Sequence, residues 1–201
     1  MNKVRTLPVL PLNYITLPNS IINVAVTDPR NRNIIHSAKD LLLLIPNGGS
    51  TLSIGVQAEI INSSAFKTHH LLVLKADIRK RVSAFDGTHA TVKPIKKVEL
   101  DVDLARDCKR RILEAAYYAL PVMSIPKTED LMHYLNSLAY LPLCEFVDSC
   151  APYLVQCPDT INELAVEECA VGRAVYLEAH LQDTRTNREL EKLSISSKYH
   201  H

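Results

Sequence analysis

The 201-residue sequence is 47% apolar and 22% charged, with 23 basic and 22 acidic side chains. Such a balance excludes a disordered chain, and a net charge of +1 excludes an overall field that would draw nucleic acid or an anionic membrane. No apolar run reaches the roughly 18 residues of a membrane-spanning helix.

The segment ahead of Pro8 is too short for a signal peptide, so no leader is expected. The five cysteines, Cys108, Cys144, Cys150, Cys157 and Cys169, all follow residue 100 and form no Cys-x2-Cys pair. An odd set at helix-like positions reads as reduced and buried, hence an intracellular protein without a zinc ribbon. His200-His201 is read as the start of an expression tag and set aside.

Pro11 and Pro18 bracket the apolar run Leu12-Asn13-Tyr14-Ile15-Thr16-Leu17. Prolines at both ends rule out a helix there, and predict a strand from Pro11 to Pro18 with a turn through Asn19-Ser20. A second strand follows over 21–26. Asp28 and Pro29 then suit the cap and first position of a short helix over 29–40. Leu41 to Ile45 is an apolar run closed by Pro46-Asn47-Gly48-Gly49, which predicts a buried strand and a loop.

Residues 53–61 alternate as a strand, 62–68 suit a hairpin connection, and 70–76 return as the partner. Residues 77–85 carry Ile78, Val82 and Phe85 among Arg79, Lys80 and Arg81. Asp86-Gly87 is a two-residue turn signal, and 89–92 with 95–102 predict a last strand pair interrupted at Pro94. Six to eight short strands and one helix in about 100 residues favour a small, nearly closed β-barrel.

Beyond Asp103, the expected cap, helical spacing takes over. Leu104, Cys108, Ile112, Leu113, Ala116, Tyr117 and Leu120 form one stripe, ended by Pro121. Further helices are expected over 128–141, from Pro142 to just before Pro152, and from the capping-box spacing Thr160-Ile161-Asn162-Glu163. The proline-free residues 166–193 predict the longest helix. The fold class is therefore α+β: a β-rich lobe over 1–102 with one helix, and a helical lobe over 103–201 with a tail after about 194.

Leu10-Pro11-Leu12, the proline turn at Pro18-Asn19, and Ile54-Gly55-Val56-Gln57-Ala58 together resemble the Lon N-terminal domain family. Asn19 stands where the family has glycine, and asparagine tolerates left-handed backbone best after glycine. Leu74 to Val82 is similar to another family segment, with Ala76 in place of a glycine. Leu135 to Pro142 and Glu167-Glu168-Cys169-Ala170-Val171-Gly172-Arg173 resemble its helical lobe. The similarity covers about residues 7–182 and implies a PUA-like β-barrel lobe ahead of a helical bundle.

The resemblance also implies a recognition domain that binds unfolded or degron-bearing polypeptides. The ATPase and Ser–Lys protease domains, and a hexameric ring, would belong to a parent protein. The alternatives are a stand-alone Lon-domain adaptor for one protein partner, or a PUA-like RNA-binding protein. A peroxisomal matrix location is the implied compartment, ahead of a bacterial cytoplasm or a mitochondrial matrix.

Enzyme chemistry finds little footing in the residues. No glycine opens a G-x-x-x-x-G-K-[ST] loop, so no ATPase, catalytic residue or cofactor is expected. A Cys–His pair would draw on Cys150 or Cys157 and one of His36, His69, His70, His89, His133 or His180. Packing accounts for the cysteines better. His69 and His70 are adjacent on an expected strand and face opposite ways, so they cannot easily share a metal with His89.

Lys75, Arg79, Lys80, Arg81, Lys93, Lys96 and Lys97 are the one basic concentration. No aromatic residues interleave to stack bases, which argues for a solvated face over RNA. Exposed apolar side chains in loops would serve a polypeptide. Tyr14, Phe66 and Phe85 are the candidates.

Overall fold

The computed structural model describes residues 5–13, 16–38, 41–46, 54–95, 100–123, 127–155 and 157–198. The chain divides into two compact units, residues 1–97 and 98–201.

The first unit holds six strands and a helix: β1 (Arg5–Leu12), β2 (Ile21–Val26), α1 (Pro29–Ser37), β3 (Leu41–Pro46), β4 (Ile54–Ala65), β5 (His70–Phe85) and β6 (His89–Pro94). They pair in the order β2-β5-β4-β3-β1-β6, and β6 pairs back onto β5. That last pairing closes β5, β4, β3, β1 and β6 into a ring. The closure works because β5 is long enough to give one edge to two partners. Its residues 70–75 pair with β2, and its residues 80–85 pair with β6.

Both faces of β1 and β3 are buried, which accounts for their continuous apolar sequences. Leu10, Leu12, Leu42 and Leu44 join Val24, Val26, Leu72 and Leu74 in one core, covered by Ile34, Ile35 and Ala38 at the end of α1. Leu7, Val9, Leu43 and Ile45 face a second core with Ala90 and Val92. Helix α1 starts as expected: the Asp28 side chain accepts from the Arg30 amide, with Pro29 at the first position.

The first strand corrects the sequence expectation. It runs from Arg5 to Leu12, through Pro8 and Pro11, and does not occupy the Pro11–Pro18 interval. Residues 5–8 pair only with β6 and residues 9–12 only with β3. Each half thus has one paired edge, and a proline whose nitrogen faces the other edge costs no ladder bond. Pro18-Asn19 does form the turn. Asn19 has φ 62°, its amide donates to the Ala76 carbonyl, and Ser20 accepts from the Ala76 amide.

Bulges explain where the β5 expectation failed. Strand β5 continues to Phe85 without a break at 77. Asp77 is an extra residue between the Ala76–Ala58 and Ile78–Gln57 pairs, so the alternation of faces slips by one. Arg79 therefore points inward and is 5% exposed, while Ile78 faces out. Strand β4 likewise extends to Ala65, shortening the predicted 62–68 connection to a turn over 66–69. Of the predicted 95–102 strand, Ile95 lies outside any strand, residues 96–99 fall outside the described residues, and Val102 opens a helix.

The second unit contains α2 (Val102–Ala119), a 3-10 turn (Leu120–Val122), α3 (Thr128–Ser137), α4 (Leu143–Leu154), α5 (Pro158–Val166) and α6 (Ala170–Lys198). Asp101 is the cap of α2, accepting from the Asp103 and Leu104 amides, so the expected cap at Asp103 is displaced by two residues. The buried stripe is Cys108, Ile112, Ala116 and Ala119, with Leu104 and Tyr117 exposed. Helix α3 stops at Ser137 rather than 141. Helix α4 carries Pro152 inside its last turn, where the proline lacks only the one bond to residue 148. Helix α5 begins at Pro158, ahead of the capping-box residues, and α6 runs past residue 194 to Lys198.

Candidate functional site

The expected recognition residues do not form one patch. Tyr14 lies outside the described residues. Phe66 is 52% exposed on the β4–β5 turn and stacks on His69, with ring centroids 4.8 Å apart. Phe85 is 51% exposed at the far end of β5. At about 3.3 Å per residue, some 50 Å of strand separates the two ends.

A second apolar surface, missed in the sequence, lies on the outer face of β2, β5 and β4. Ile21 is 67% exposed, and Leu71 and Ile61 are exposed as well. Register spreads them over this face: Leu71 lies opposite Ala25, Val73 opposite Asn23 and Lys75 opposite Ile21, with Ile61 bulged out of β4 beside the Val73–Asn62 pair. Lys75 pairs with Ile21 on one side and Glu59 on the other, which closes the face with balanced charge. The signal was present as the i, i+2 spacing of Ile21, Asn23 and Ala25. It was obscured because β2 also supplies buried Val24 and Val26.

The residues proposed for other chemistries separate. Arg79 is buried and so is withdrawn from the displayed basic residues, and Lys96 and Lys97 fall outside the described residues. His70 is buried with its ring edge-on to His36 at 5.0 Å, while His69 stacks on Phe66. Among the described residues no three metal-ligating side chains converge.

Burial pushes the Cys150 thiol up to about 12, which keeps it protonated and non-nucleophilic. Cys157 stands at the N-cap position of α5 without a side-chain cap bond, and its thiol pKa moves the other way, lowered by the nearby Thr160 and Asp159 amides. Burial lowers the His180 pKa, and its Nδ1 lies 3.3 Å from the Thr160 hydroxyl.

The motif residues of the β unit play structural parts. Leu12 is buried in the first core beside Leu10, Pro11 pairs with Ile45, and Pro18 leads into left-handed Asn19. Ile54 is buried, and Gly55 lies against β3: a Cβ there would sit 3.0 Å from the side chains of Leu43 and Ile45. In the helical unit, Arg173 makes a buried ion pair with Asp148 at 3.1 Å.

Solved structures share this architecture. The N-terminal domain of Mycobacterium avium complex Lon protease superposes with a TM-score of 0.72 at 17% identity, covering 89% of this chain and 99% of that one. The fold is that of Lon N-terminal domains. A Lon N-terminal domain protein from Xanthomonas campestris matches with a TM-score of 0.54 at 18% identity, covering 87% of this chain and 98% of its own. No family model matches the sequence, and no curated protein matches it. At these identities the likeness is one of fold.

Proposed function

We propose that this chain is a recognition module that holds unfolded or degron-bearing polypeptide for an ATP-dependent, Lon-type protease. The observation that carries the reading is the match of both units, over 89% of the chain, to a Lon protease N-terminal domain. The outer face of β2, β5 and β4 supports it, since exposed Ile21, Ile61 and Leu71 with a polar rim suit shallow apolar capture.

Capture involves no covalent step, so the chain itself is not an enzyme. ATPase and Ser–Lys peptidase chemistry would belong to further domains of a parent. In a hexameric parent several weak sites act together, and linkage raises the effective concentration of each. The proposed compartment is intracellular, with the peroxisomal matrix favoured.

Fluorescence anisotropy tests the reading, using a labelled polypeptide that cannot refold beside the same sequence in folded form. Selective binding of the unfolded form at micromolar or weaker affinity is expected. Equal binding of both forms, or of neither, contradicts the reading and directs attention to a single dedicated protein partner. A salt-dependent shift with labelled RNA in place of polypeptide would favour nucleic acid instead.

A further inference from the structure

Strand β2 pairs with β5 along one edge, and no described strand pairs with its other edge. The direction of its backbone groups follows from the turn before it. Ser20 accepts from the Ala76 amide, so its carbonyl faces β5. Alternation then turns the amides and carbonyls of Ile22, Val24 and Val26 toward β5, and those of Ile21, Asn23 and Ala25 toward the open edge.

Open edges are normally guarded by lysine, proline, a bulge or short length. Strand β2 has none of the first three: its six residues are Ile-Ile-Asn-Val-Ala-Val, uncharged and without proline, and its register with β5 is unbroken. Its exposed side chains Ile21, Asn23 and Ala25 are neutral and differ in size. They would impose little sequence preference on a neighbour. The chemistry that fits a row of alternating backbone donors and acceptors is another extended backbone.

We infer that β2 captures an extended polypeptide segment by strand addition, the segment pairing with the amides and carbonyls of Ile21, Asn23 and Ala25. The inference rests on the polypeptide-recognition reading and adds how the segment is held. The main chain supplies the attachment, and every second side chain of the incoming strand lies beside Ile21, Asn23 and Ala25 on the outer face, which Leu71 and Val73 continue on the far side of β2. That division of labour suits a site that accepts many sequences in unfolded form and rejects folded ones, whose backbone is already paired.

Two substitutions in the full chain separate backbone from side-chain capture. Asn23→Pro deletes one edge-facing amide and leaves the bonds to β5 intact, whereas Asn23→Ala keeps the amide. Anisotropy with the permanently unfolded polypeptide is expected to show Asn23→Ala binding like the parent sequence and Asn23→Pro binding about tenfold more weakly. A complementary arm protects the test against misfolding of the proline variant: short extended peptides, with or without N-methyl groups on alternate amides, are titrated into the unsubstituted chain. Loss of binding on methylation is expected.

Equal binding of methylated and unmethylated peptides would overturn strand addition while leaving polypeptide recognition standing. Failure of the unsubstituted chain to bind any unfolded probe would remove the underlying reading as well. Concentration-dependent self-association that Asn23→Pro abolishes, without probe binding, would show the edge occupied by a second copy and overturn the proposal.

Discussion

Arg173 on α6 reaches Asp148 on α4 through its Nε at 3.1 Å, with both side chains buried. The same guanidinium donates from Nη1 to the Glu167 and Glu168 carbonyls, where α5 ends. One side chain thereby joins three helices and satisfies carbonyls that have no partner within α5. Arginine suits the position because its fork gives several donors from one fixed charge. Replacing Arg173 with Leu removes the charged partner of the buried Asp148 carboxylate. We expect a loss of about 3–5 kcal/mol in stability by urea denaturation. The double replacement Arg173→Leu with Asp148→Leu should recover much of that loss.

Gly55 makes a separate prediction in the β unit. Its backbone approaches β3 so closely that a methyl group would press on Leu43 and Ile45 at 3.0 Å. Gly55→Ala should lower stability by about 1–3 kcal/mol, read from the urea midpoint at constant slope.

The β5–β6 turn gives a prediction in acid. Asp86 accepts from the His89 and Thr88 amides and the Thr88 hydroxyl, and these bonds lower its pKa from 3.8 to about 2. A lowered folded-state pKa means the turn's contribution is complete above pH 3.8 and is lost as pH falls toward 2. Carboxyl carbon shifts followed by NMR should place the Asp86 midpoint near 2. Asp86→Asn should remove that midpoint from the titration.

Thiol reactivity sorts the cysteines by environment. Cys169 is exposed, and amides lower the pKa of Cys157, whereas Cys108 and Cys150 are buried and Cys150 is raised to about 12. Iodoacetamide at pH 7.5 followed by peptide mass mapping should modify Cys157 and Cys169 in the native chain. Cys108 and Cys150 should react only after denaturation.

Much of the fold was legible because local signals agreed with one another. Asp28-Pro29 opened α1 and the helical spacing marked α2. The Asp86-Gly87 turn also lies where its sequence indicated, with Gly87 at φ 97°. What escaped depended on partners distant in sequence. Whether Pro8 and Pro11 can stand in a strand is decided by β3 and β6, which lie elsewhere in the chain. The exchange of Ile78 for Arg79 on the inner face depends on a bulge at Asp77 opposite β4.

The candidate surface was less legible for the same reason. Loop aromatics were the natural choice, yet Phe66 and Phe85 fall at opposite ends of β5. The exposed apolar residues Ile21 and Leu71 sit within strands whose other residues build the core. Pairing across β2 and β5 sets them on one sheet, Ile21 opposite Lys75 and Leu71 opposite Ala25.

The proposed function places unfolded polypeptide on the β2–β5–β4 face of the β unit. Amide NMR of the whole chain, titrated with a permanently unfolded polypeptide, tests it most directly. Shifts or line broadening are expected at Ile21, Asn23, Ala25, Ile61 and Leu71, with α2 to α6 little changed. Perturbations confined to the helical unit, or none at saturating polypeptide, would contradict it.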